Sequence, residues 1–244
     1  MPTGRSLTAA DQRLLIETCQ RRGALLVWDG ALIEMVHDAD PILSPQPGED
    51  HVIRIGTLSK TFGLPGLRVG WALGAPELLK QVEVWKDHTS LYVSPLLERI
   101  AQVVIERADP FLNWRRSQVK QNLSVLNAWI ETVEDDVESF SPDGGLTIFP
   151  RLPRIADVDA FCRKIAQERS VMVVPGSSFG QPQHIRLGFG APTKILSEGL
   201  ARLSEALVEG RSRAAATSYP VVPRPVEPVP SYELSCEESA QISA

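Results

Sequence analysis

Two short apolar runs end on residues that carry chemistry, and that pairing constrains the fold more than any other feature of the chain. Residues 24–29 read Ala-Leu-Leu-Val-Trp-Asp and stop at a carboxylate, Asp29. Residues 51–57 read His-Val-Ile-Arg-Ile-Gly-Thr and run straight into Leu58-Ser59-Lys60. Runs of this length, rich in β-branched residues and bounded by polar and glycine-containing segments, are expected to be strands. A continuous apolar run, as in 24–29, predicts a strand buried in a parallel sheet. Open α/β sheets place ligands at the carboxyl ends of such strands, where Asp29 and Lys60 both fall.

The second run continues as Thr57-Leu58-Ser59-Lys60-Thr61-Phe62-Gly63-Leu64-Pro65-Gly66-Leu67-Arg68-Val69-Gly70-Trp71. It brings an amine able to form a Schiff base, two hydroxyls able to share phosphate oxygens, and a guanidinium able to clamp them. Pyridoxal phosphate requires that set of groups.

The segment resembles the cofactor-lysine segment of class I/II aminotransferases, the pyridoxal-phosphate enzymes of fold type I. The resemblance implies that Lys60 forms the Schiff base to pyridoxal 5'-phosphate. It puts the phosphate-binding positions three and one residues before the lysine and eight after it, at Thr57, Ser59 and Arg68. It makes Asp29 the partner of the pyridine nitrogen, keeping the ring protonated. It makes Arg186, in His184-Ile185-Arg186-Leu187-Gly188-Phe189-Gly190, the group for the substrate α-carboxylate, which a bidentate guanidinium suits. Residues 174–180 resemble the turn ahead of that strand. Gly144-Gly145 falls where the family's backbone approaches the substrate, and it reads equally as a tight turn needing positive φ. One position departs from the pattern. An aromatic hydroxyl often lies three residues after the aspartate and hydrogen-bonds the cofactor's phenolic oxygen; here that position is Leu32.

Around these motifs the pattern predicts helices over 8–22, 76–86, 95–107, 109–133, 158–168 and 193–209, with Thr8 and Asp157 as N-caps. Strands are expected over 67–73, 144–152, 171–176 and 184–189, and a loop over 37–50. The implied fold class is α/β: the C-terminal part of the family's large domain, with a mostly parallel sheet, followed by a small α+β domain. The division is 1–94 for the remainder of the cofactor domain, 95–210 for connecting helices and the small domain, and 211–244 for a Pro-rich tail too polar to order itself. Met1-Pro2-Thr3-Gly4 aligns with the end of the family's Asn-Pro-x-Asn-Pro-Thr-Gly stretch, so the chain is expected to enter the family fold part-way.

The expected activity is transfer of an amino group between an amino acid and a 2-oxo acid. The same residues also suit elimination or cyclisation, because the cofactor defines the carbanion and the pocket decides its fate. The alternative is a truncated non-catalytic homologue, or one half of a split enzyme. A homodimer or a complementing chain is the expected partner. With a net charge of −5 in 244 residues, nothing points to nucleic acid. No apolar run approaches the roughly 20 residues that span a bilayer. Cys19, Cys162 and Cys236 are widely spaced and read as free thiols in a reducing cytoplasm. His37, His51, His88 and His184 show no ligand spacing, so no metal site is expected.

Overall fold

The computed structural model describes residues 2–37 and 49–216. Most of the expected 37–50 loop, and the tail beyond residue 216 with Cys236, lie outside the described residues.

Helix α1 (Ala9–Arg22) starts where the Thr8 hydroxyl accepts the Asp11 amide, and Gly23 ends it in the left-handed region at φ 63°. Strands β1 (Leu26–Asp29) and β2 (Val52–Thr57) pair in parallel, with Asp29 opposite Ile55. β3 (Gly70–Leu73) returns antiparallel to β2, with Gly70 opposite Thr57. The turn between β2 and β3 contains Lys60 and a short 3₁₀ segment, Pro65–Leu67.

β1 differs from expectation in one respect. It is parallel but not buried: Val27 is 53% exposed, and Ile55 and Leu73 on the neighbouring strands are also exposed. The apolar run is that of a covered sheet, but no described element packs over these side chains.

Helices α2 (Pro76–Thr89), α3 (Pro95–Glu106) and α4 (Ala108–Thr132) follow. α2 buries none of its residues, and Trp85 on it is 73% exposed. α3 turns Ala101 and Val104 inward, where they join Leu58, Phe62 and Leu112 in a small apolar cluster. Leu58 and Phe62 flank Lys60, so this cluster anchors the lysine turn from behind.

The larger core belongs to the C-terminal part. β4 (Thr147–Ile148), β6 (Ile185–Gly188) and β5 (Val174–Pro175) form an antiparallel sheet in the order β4-β6-β5. α5 (Val158–Arg169), capped by the Asp157 carboxylate on the Ala160 amide, packs near it together with α6 (Thr193–Ala216). Leu126, Ile148, Leu152, Ile165, Ile185, Leu203 and Leu207 are fully buried there. Truncating any one to alanine costs about 2–5 kcal/mol. α6 extends past the expected end at Glu209 to Ala216.

The two parts are tied together by their backbones. The Gly144 amide donates to Gly4 O at 3.0 Å, the His37 amide to Asp143 O at 2.8 Å, and the Gly145 amide to Met35 O at 2.6 Å. Arg5 pairs with Asp143 at 3.1 Å.

Candidate active site

Lys60 and Asp29 line one cavity of about 420 Å³. Its floor and sides come from Leu26 to Val36, from the segment Gly4–Leu7, and from Gly144-Gly145. Asp29 reaches it because β1 stops there; its carboxylate accepts the Ala31 amide at 3.0 Å as the chain turns away. Lys60 reaches it because Leu58 and Phe62 are held in the apolar cluster behind, leaving the lysine exposed.

The double glycine is a structural requirement of this wall. Gly145 has φ 83°, and a Cβ on Gly144 would fall 2.7 Å from Met35 O. His37 approaches Gly145 O through Nε2 at 3.0 Å, so that nitrogen carries the proton. Leu32 lines the same cavity and meets the open side of Gly145, 3.6 Å from where a Cβ would lie.

The hydroxyls lie one step away. Thr57 Oγ1 accepts the Ser59 amide at 3.1 Å, sits 3.0 Å from Ser59 Oγ and donates to Val69 O at 3.1 Å. They form a preassembled pair at the end of β2, beside the cavity rather than among its lining residues. Arg68 is exposed and left-handed at φ 54°. Its guanidinium donates to Pro65 O at 3.2 Å, folding back on its own turn rather than onto the hydroxyls. Arg186 lies on β6 with its guanidinium 5.3 Å from the centre of the Phe179 ring, and it too stands outside the cavity. The structure therefore brings Lys60 and Asp29 together, sets Thr57 and Ser59 beside each other, and leaves the two arginines apart from them.

Two residues with no motif around them also bear on the site. Asn122 on α4 is fully buried. Its amide donates to Phe189 O and Ala191 O, both at 2.7 Å, and its carbonyl accepts the Thr193 hydroxyl at 2.7 Å. Arg115, two turns earlier on α4, donates to Gly190 O at 2.7 Å. Together they hold three consecutive carbonyls behind the Arg186 strand. The only sequence signal was polar side chains seven residues apart on an otherwise apolar helix face.

The model of the family "Aminotransferase class I and II" matches residues 1–203. The chain belongs to this family. It is 37% identical over 215 residues to capreomycidine synthase of Streptomyces vinaceus, covering 87% of this chain and 55% of that enzyme. It is 26% identical to an aspartate aminotransferase of Bacillus subtilis, covering 83% of this chain and 54% of the relative. Among solved structures it matches the PLP-dependent cyclase OrfR with TM-score 0.80 and 37% identity, covering 85% of this chain and 56% of that one. It matches a PLP-dependent aminotransferase from Streptococcus suis with TM-score 0.77 and 28% identity, covering 86% and 55%. The fold is that of these fold type I enzymes, and the chain spans about half the length of the relatives it matches. Pyridoxal phosphate is the family's cofactor. The residues present fit it: an amine and a carboxylate share one cavity, and a hydroxyl pair, Thr57 and Ser59, immediately precedes that amine in the chain. No helix among the described residues is long and apolar enough to cross a membrane.

Proposed function

We propose that this chain supplies the cofactor lysine of a pyridoxal-phosphate enzyme acting on an α-amino acid, moving its amino group to a 2-oxo acid. The observation that carries this reading is the shared Lys60–Asp29 cavity in a chain of this family. When bound, the cofactor supplies an electron sink for negative charge at the substrate's α-carbon. Lys60 would hold the cofactor through Nζ and would move the α-proton. Asp29 keeps the pyridine nitrogen protonated. Thr57 and Ser59 would donate to the phosphate, and Arg68, which here donates to Pro65 O, would join them through its guanidinium. Arg186 receives the α-carboxylate.

A second reading is favoured by one residue. Leu32 offers no hydroxyl to the cofactor, and the 37% identical relatives are named a synthase and a cyclase rather than aminotransferases. Elimination or cyclisation chemistry would draw on the same lysine and carboxylate.

The exposed sheet residues Val27, Ile55 and Leu73, with Trp85 and Leu96 on α2 and α3, support action together with a second chain, either another copy or a complementing polypeptide.

The test is an absorption spectrum of the purified chain with pyridoxal phosphate, beside Lys60→Ala. A visible band lost in the variant is the expected result. A wild-type chain with no such band would show that it does not bind the cofactor through Lys60 by itself.

A further inference from the structure

Arg115 is a buried cation that the chemistry above does not use. It is 9% exposed, and desolvation lowers its pKa from the ordinary guanidinium value. Among the described residues its hydrogen-bond partners are neutral: Nη1 donates to Gly190 O at 2.7 Å and to the Gln118 side-chain carbonyl. Its Nε is buried without a hydrogen-bond partner among the described residues. Burying a guanidinium against neutral acceptors alone is costly, and an apolar side chain of similar volume avoids that cost. A fold keeps such a group where its rigid fork does something a hydrocarbon does not.

The position of the fork shows what that is. On one side it grips Gly190, four residues beyond Arg186, and Nη2 lies only 2.9 Å from where a Gly190 Cβ would be. On the other side its Cδ and Nε lie 3.7 Å from where a Cβ on Gly63 would be. Gly63 is three residues beyond Lys60, left-handed at φ 69°, and its amide closes the lysine turn on Lys60 O at 3.2 Å. Asn122 holds the carbonyls on either side of Gly190. One side chain on α4 thus spans the lysine turn and the loop behind the substrate-arginine strand.

We propose that Arg115 is a positioning residue that couples the Lys60 turn to the Gly190 loop, so that the cofactor amine and the Arg186 strand keep one relative placement. The proposal rests on the roles given above to Lys60 and Arg186. Arg115 is not among the residues that line the Lys60–Asp29 cavity.

The test compares the full chain with Arg115→Met, Arg115→Lys and Gly190→Ala. Amide hydrogen exchange is read without cofactor at Gly63, Phe189 and Ile165. The pH midpoint of the Lys60-dependent visible band is read with pyridoxal phosphate. Arg115→Met is expected to raise exchange at Gly63 and Phe189 together by about tenfold, the scale of one lost hydrogen bond to a charged donor. Ile165, in the core on α5, stays unchanged, and the band midpoint shifts. Arg115→Lys partly restores both, because an ammonium can still donate to Gly190 O. Gly190→Ala displaces the fork while leaving the charge, and reproduces the paired exchange even if the methionine variant fails to fold. Exchange that rises at one segment alone, or at all three sites equally, overturns the proposal, as does a lysine variant no better than methionine. A wild-type chain without a Lys60-dependent band would show that the chain does not hold the cofactor through Lys60 by itself, and the exchange pattern then decides the coupling alone.

Discussion

The indole of Trp71 lies across Gly56, its register partner on the neighbouring strand. A Cβ on Gly56 would fall 2.3 Å from Trp71 Cε2, so the glycine is the floor on which the ring rests. Thr57, half of the hydroxyl pair, is the next residue. Gly56→Ala is expected to force the indole off the strand at a cost of about 1–3 kcal/mol. At about 2–4 °C per kcal/mol for a domain of this size, that is a clear fall in Tm by circular dichroism. An unchanged Tm would mean that the ring shifts freely and sets no constraint on β2.

Leu32 offers a second test, on the chemistry rather than the stability. It lines the cavity of Lys60 and Asp29, with room beside Gly145. Leu32→Tyr would supply a hydroxyl to the cofactor's phenolic oxygen, and a hydrogen bond donated to an oxyanion favours the ionised form and lowers its pKa. The pH midpoint of the Lys60-dependent band is expected to move down in Leu32→Tyr and to stay in place in Leu32→Phe. Equal shifts in both variants would assign the effect to ring bulk.

What was legible in the sequence was local. Thr8 and Asp157 cap their helices as side chains of that kind do, and strand ends brought Asp29 and Lys60 to one cavity. Burial of β1 was not legible, because an apolar run reports what a strand is built to touch rather than what covers it; Val27 is exposed. The direction of Arg68 was not legible either. A long side chain in a turn has several acceptors within reach, and here Pro65 O is taken. Strands β4 and β5 shrank to two residues each, since pairing with β6 sets their length. Arg115 and Asn122 act on carbonyls 67 to 75 residues away, a separation no periodicity encodes.

His184 gives a dependence of stability on pH whose sign is fixed by its surroundings. Its ring stacks on Phe149 at 4.9 Å, and its Nδ1 is buried without a hydrogen-bond partner among the described residues. Burial first, and then the charge of Arg151, hold it below the ordinary histidine range, while Glu138 pulls weakly the other way. The unfolded chain, with a value of about 6.5, therefore takes up this proton before the folded chain does. Stability is full above that value and falls as the pH drops through it toward the folded pKa, because the unfolded state binds more protons there. His184→Phe keeps a flat ring against Phe149 and removes the titration. Urea unfolding at about pH 7 and pH 5.5 is expected to show the wild type losing more stability on acidification than the variant. Losses of equal size in the two proteins would show that His184 is not the source of the acid sensitivity.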